Sequence, residues 1–229
     1  PLSGAEIAEF NRVTAGLWGV TALPPALAQM STLLVAGLLG PEAAGALFVA
    51  DRATRLVLLA LLGINQALAP EISGAFYGGD KAHVQKVTSA AALGSSVIAL
   101  LILALFLVMG RPILWVFDAH YATAETHMVL MILGVGATFA TICGPIEVLL
   151  QLTGLQHVLL KLLIVVNSIG LGITALLTLR FGSIGAASGI AGTLMTWNGI
   201  SAWIARRRIG IDPTLFGLFR RPARNGAAR

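Results

Sequence analysis

The sequence predicts an all-α, polytopic membrane protein with six transmembrane helices in one bundle. Three observations carry this. Of 229 residues, 57% are hydrophobic and only 11% charged, and the mean hydropathy is +0.88; a water-soluble fold has no interior large enough for that composition. Six long apolar runs, each able to cross about 30 Å of hydrocarbon as helix, lie at about 15–39, 45–69, 87–109, 128–151, 158–179 and 183–205. Short breaks rich in glycine, proline and charge separate them: GPEAAG (40–45), YGGDKAH (77–83), GRP (110–112), TGLQH (153–157) and RFGSIG (180–185). Loops this short make successive helices antiparallel neighbours.

The expected layout is a cytoplasmic surface helix or connector over 1–14, the six-helix bundle over 15–205 and a basic cytoplasmic tail over 206–229. At the start, Ser3 and Glu6 form a capping-box pattern, with Ile7, Phe10 and Val13 at helical spacing. In the first span Pro24 and Pro25 bend the rod and make a candidate hinge, followed by the polar Gln29, Ser31 and Thr32. Proline in membrane helices also serves packing alone, and the residues do not separate the two uses.

The second span holds the most informative chemistry. Asp51, Arg52, Arg55, Asn65 and Gln66 interrupt a run of Leu, Ala and Val, and such groups are costly in hydrocarbon unless they face protein or water. On a helical projection they cover an arc of about 140°, as a helix lining a hydrated cavity requires. Asp51 and Arg55, one turn apart, can neutralise each other. The competing reading places the Asp/Arg group close enough to the helix start to snorkel to the interface.

The fourth span brings Glu147 and Gln151 one turn apart after Cys143 and Pro145, and Glu147 is a candidate for proton coupling; a solvated carboxylate near the helix end explains it as well. The loop at 118–127 contains Asp118, His120, Glu125 and His127, which a solvated loop accounts for without a metal. Small residues at helical spacing, Gly185 with Gly189, Ser188 with Gly192 and Ala140 with Gly144, are packing devices. No nucleotide-binding or hydrolase motif and no catalytic carboxylate pair is present, so no enzyme activity and no cofactor or metal is expected. The lone Cys143 excludes an internal disulfide.

The net charge of +5 does not indicate a nucleic-acid partner. Seven of the fifteen basic residues lie from Arg206 onward, and before it basic and acidic residues nearly balance. Arg12, Lys81, Lys86, Lys161 and the arginine tail fall on one side of the predicted bundle, and Arg111 and Arg180 on the other, with Arg52 and Arg55 just inside the second span there. Cationic flanks are retained inside, so both termini are expected in the cytoplasm. The tail's Leu and Phe beside arginines suit anionic headgroups, with a disordered polar tail as the alternative. The chain starts at Pro1 without a methionine, and it reads as a piece of a longer protein or a trimmed product.

Four segments in order resemble a known family. STLLVAGLLGPEAAGALFVADRATRL (31–56), QALAPEISGAFYGGD (66–80), LLQLTGLQ (149–156) and FGSIGAASG (181–189) are similar to signatures of the multidrug/oligosaccharidyl-lipid/polysaccharide (MOP, MATE-like) flippase superfamily, in its polysaccharide or O-antigen (Wzx-type) exporter branch. The resemblance spans roughly residues 15–208. It implies the C-terminal six-helix half of a transporter whose two bundles rock around a central cavity, with a missing N-terminal bundle or a second copy as partner. It also implies movement of lipid-linked oligosaccharide, of the undecaprenyl-pyrophosphate type, across the bacterial inner membrane.

With such a substrate, Arg52 and Arg55 become the implied headgroup contacts, because guanidinium makes paired hydrogen bonds to phosphate. Asp51, Gln66, Gln29 and Ser31 complete the implied substrate surface. Ser31 stands where many members carry an aspartate, which removes the carboxylate that ion coupling there would use. Two readings stay open beside this one: a drug or metabolite exporter of the same superfamily, and a non-transporting scaffold subunit of an envelope polysaccharide-synthesis complex.

Overall fold

The computed structural model describes Thr14 and residues 29–219, apart from the side chain of Ala60. The expected surface helix over 1–14, the hinge prolines Pro24 and Pro25 and the last ten residues lie outside that range, Thr14 excepted. Among the described residues there are six α-helices and no strand: α1 (Gln29–Leu39), α2 (Pro41–Tyr77), α3 (Lys81–Phe117), α4 (Ala124–Cys143), α5 (Ile146–Leu152) and α6 (Gln156–Arg208). Two 3-10 turns, Ala119–Tyr121 and Leu215–Phe219, complete it. Of these helices α3, α4 and α6 are long and apolar enough to cross a membrane.

The breaks are tighter than the sequence predicts. Between α1 and α2 only Gly40 intervenes, at φ 93°, and Pro41 opens the next helix, where its missing N–H is no loss. Gly78, Gly79 and Asp80 turn the chain into α3, with the Asp80 carboxylate accepting from the His83 amide at 2.9 Å. Near its far end α3 kinks at Met109 (φ −116°, ψ 15°). The Pro112 ring crowds the carbonyl four residues back, Val108, and the peptide beside it rotates away. The His127 ring lies against Gly110 and donates from Nε2 to the Phe106 carbonyl at 2.9 Å.

One expectation about the spans changes. The fourth, read as one helix over 128–151, is two: Gly144 (φ 74°) ends α4, and Pro145 caps α5. The fifth and sixth are the two arms of α6, 156–181 and 183–208, folded back on each other at Gly182 (φ 60°, ψ −142°). Each arm of about 26 residues is roughly 39 Å long, enough to span. Their antiparallel register follows from the close approaches of Gly170 to Thr193, Gly189 to Thr174 and Gly185 to Leu177. Of the small-residue pairs, Gly185 with Gly189 therefore faces the other arm, whereas Gly192 has open space around it.

Helix α4 sits at the centre, packed on α2, α3 and α6. Its Gly134 meets Leu103 and Phe106 of α3, and its Gly136 would bring a Cβ within 2.9 Å of that of Ala191 on α6. Two apolar clusters result. One, around Leu47, Val57, Phe106, Leu130 and Ala187, fills the half toward the Gly182 turn. The other, around Ile72, Val84, Leu149, Leu159 and Ala205, fills the half toward Asp212.

The helix of α6 continues through Arg208, and the residues that follow it fold back onto the bundle. Residues 209–219 form a strap docked on α3 and on the α4–α5 break. Ile211 is fully buried. Gln85 donates to the Gly217 carbonyl at 3.0 Å and accepts from the Asp212 amide at 3.3 Å, and Ser89 donates to the Asp212 carbonyl at 3.0 Å. Replacing Gln85 with alanine removes two of these bonds and strands their partners. Amide exchange over 211–219 is expected to quicken about tenfold, the equivalent of ~1.4 kcal/mol, while α4 keeps its protection. Unchanged exchange in the strap would show that Gln85 does not hold it.

Candidate functional site

The packing of α2 decides which of its polar residues can meet a ligand. Leu47, Ala50, Ala53, Thr54, Val57 and Ile72 are buried and define its inner face. Relative to that face, the five polar residues divide into three positions. Asn65 is turned into the bundle, and its Oδ1 has no hydrogen-bond partner. Asp51 and Arg55 sit on the flank, joined at 3.0 Å with side chains 37% and 42% exposed. An ion pair so open to its surroundings contributes little stability; its effect is to hold the Arg55 guanidinium in place. Arg52 and Gln66 lie on the outward face, with the Arg52 guanidinium 4.7 Å over the Phe48 ring.

The same outward face bears Leu56, Leu59 and Leu62, all exposed. Pro70, also exposed, has no N–H, so the carbonyl of Gln66 loses its donor in the next helical turn. A side-chain amide and a freed carbonyl thus stand together at Gln66. The resulting surface has a cationic group toward the Gly182 end, an apolar middle and a polar spot lower down.

The remaining site residues from the sequence are dispersed. Gln29 is exposed at the start of the described α1, with Ser31 and Thr32 half-buried beyond it. Glu147 lies on α5, at the opposite end of the bundle from Arg52 and Arg55, where its Oε1 accepts from the Gln151 amide at 3.3 Å. No direct contact links it to the arginines.

The segment at 118–127 is largely exposed. Asp118 caps the amide of His120, His127 is spent on Phe106, and His120 donates from Nε2 to Glu42 at 2.6 Å. Among the described residues no group of three or more His, Cys, Asp or Glu side chains gathers as a metal site. Instead Glu42, His120, Tyr121, Glu125 and Ser183 line an open cavity of about 370 Å³ at the Gly182 end. The partnership of Glu42 with His120 was not legible in the sequence. The two are 78 positions apart, and no periodic pattern links a helix start to a loop two helices later.

The sequence model of the MatE family matches residues 21–176, from ahead of α1 into the first arm of α6. The chain belongs to the MatE family. No curated protein and no solved structure gives a match. Members of the MatE family are membrane transporters. The helical architecture, with three apolar helices able to cross a bilayer, agrees with that membership.

Proposed function

We propose that this MatE chain is one six-helix bundle of a flippase that moves lipid-linked oligosaccharides across the bacterial inner membrane by alternating access. The observation that carries the reading is the outward face of α2, where Arg52, with the tethered Arg55 on its flank, precedes exposed Leu56, Leu59 and Leu62. Guanidinium groups suit a pyrophosphate and leucines suit a polyprenyl chain, so one helix face matches both parts of an amphiphile. A second bundle, from a longer chain or a second copy, would close the cavity against this face. The end bearing Lys81, Lys86, Lys161 and the Arg206 to Arg208 run is assigned to the cytoplasm by its positive charge.

The test is export of surface polysaccharide in cells whose full-length protein carries Arg52→Ala and Arg55→Ala together. Export is expected to fall at least about tenfold with protein levels unchanged, since each lost charge-assisted contact is worth about 1.5–3 kcal/mol. Normal surface polysaccharide would reject the site. Family membership alone also suits an exporter of drugs or metabolites. Purified protein that transports cationic drugs and binds no lipid-linked sugar would favour that second reading.

A further inference from the structure

We propose that the Asp212 end of the bundle carries a binding site for the headgroup of anionic phospholipid, formed by Arg206, Arg207 and Arg208 with Trp203 and seated in the bilayer by Phe216 and Phe219. This site is separate from α2 and does not rest on the transport reading.

Three consecutive arginines close α6, all exposed. At 100° per residue they fan over about 200° of the helix end, so they can address headgroups from more than one direction. Among the described residues none of them is in an ion pair. The acids at this end are engaged elsewhere: Asp212 is buried and accepts from Thr214 at 2.7 Å, Glu71 is held by His83 at 2.8 Å, Asp80 caps α3, and Glu147 accepts from the Gln151 amide at 3.3 Å. Exposed Lys86, one residue from the Gln85 that grips the strap, adds to the positive field.

The second observation is apolar and independent of charge. The strap is anchored by Ile211, by the Gln85 and Ser89 hydrogen bonds and by Gly217, which has no room for a Cβ between Ser89 and the Asp212 carbonyl. That anchoring presents Phe216 and Phe219 outward, 62% and 84% exposed. A scaffold that fixes two phenylalanines on the outside of a 3-10 turn is favourable where the outside is the boundary between headgroups and acyl chains. The Arg207 guanidinium lies 4.5 Å over the Trp203 ring, and Trp203 is itself exposed at the end of a spanning helix. Indole beside guanidinium at that depth marks the interface. Arginine forks fit a phosphodiester with two parallel hydrogen bonds, and an anionic leaflet supplies phosphodiesters at high density.

The test uses the purified protein in micelles doped with brominated phosphatidylglycerol or brominated phosphatidylcholine, reading tryptophan quenching. Subtraction of a Trp203→Phe variant isolates the contribution of Trp203. Phosphatidylglycerol is expected to quench it about threefold more efficiently, with the preference fading at high salt. Arg206→Gln, Arg207→Gln and Arg208→Gln together should abolish the preference, while Phe216→Ser with Phe219→Ser should weaken quenching by both lipids. Equal quenching by the two lipids in the wild type would overturn the proposal, and that comparison needs no arginine variant to fold. A preference that survives in the triple variant would overturn it too. Removal of the preference by free glycerol phosphate at matched ionic strength would do the same, by showing a soluble phosphate site.

Discussion

Replacing Gly185 with alanine is expected to leave little stably folded protein. In the α6 hairpin a Cβ at 185 would fall onto the carbonyl of Leu177 on the opposite arm, with the Phe181 Cβ 3.1 Å away. The obstacle is backbone inside a helix, so it cannot rotate aside as a side-chain tip would. Gly182 turns the chain in one residue and holds the arms together at this point. Opening the turn enough to admit a methyl would also separate Gly189 from Thr174 and Gly170 from Thr193 further along. Lipid supplies no hydrophobic pressure to push the arms back together, and their association rests on close packing. A loss of about 3 kcal/mol, the upper end for overpacking, follows at a contact with backbone. Thermal unfolding in detergent, followed by the monodisperse fraction, measures it. Gly192→Ala, with open space around the new methyl, is the comparator and should be neutral or slightly stabilising. Equal melting of the two variants would remove the hairpin contact from the account.

Gly144→Ala is the second change with a large expected effect, through two costs. Gly144 has φ 74° and ψ −160°, a conformation open in practice to glycine alone, and forcing another residue into it costs about 1–3 kcal/mol. A Cβ there would also press on the Pro213 carbonyl of the strap and lie 2.9 Å from the Ala92 Cβ. Together these predict a loss of about 3–5 kcal/mol. Gly154→Ala is the comparator, because Gly154 also has a positive φ, 78°, and nothing nearby for a Cβ to meet. Gly144→Ala should therefore melt lower than Gly154→Ala and, unlike it, speed amide exchange in the strap. If the two variants melt together and the strap stays protected in both, Pro213 is not wedged against the α4–α5 break.

Both changes concern glycines that the sequence presents in different lights. Gly185 belongs to a small-residue pattern and could be read as a packing position, but the pattern does not name its partner. Ser188 and Gly192 share the same spacing, yet Gly192 touches no other element and the Ser188 hydroxyl turns back to the Ile184 carbonyl at 2.8 Å. Gly144 and Pro145 read as an interruption inside a span. That the interruption is a full break, with a strap from beyond α6 lodged against it, depends on a contact nearly seventy residues away.

The polar residues of α2 teach the same lesson about the candidate site. Their presence in an apolar run was legible, and the Asp51 to Arg55 pairing follows from helical spacing alone. Their common direction was not. An arc of about 140° on a helix is wide enough to run from the core edge, at Asn65, to the centre of the outward face, at Arg52. Hydropathy could not assign the rotation, because a leucine is equally comfortable against lipid and against another helix.

What the sequence determined by itself is local and solvent-driven. The scarcity of charge selects the membrane, the apolar runs give the spans, and Gly40, Gly144, Gly154 and Gly182 mark where helices end, because each tolerates a backbone turn that other residues resist. The tertiary structure decided how close the helices come, how α2 is rotated, where Glu42 finds His120 and where residues 209–219 dock. Those outcomes depend on pairs distant in the chain and on steric fit at single atoms. Membrane solvation, nearly uniform along every helix, leaves packing and a few buried hydrogen bonds to choose among arrangements that composition treats alike.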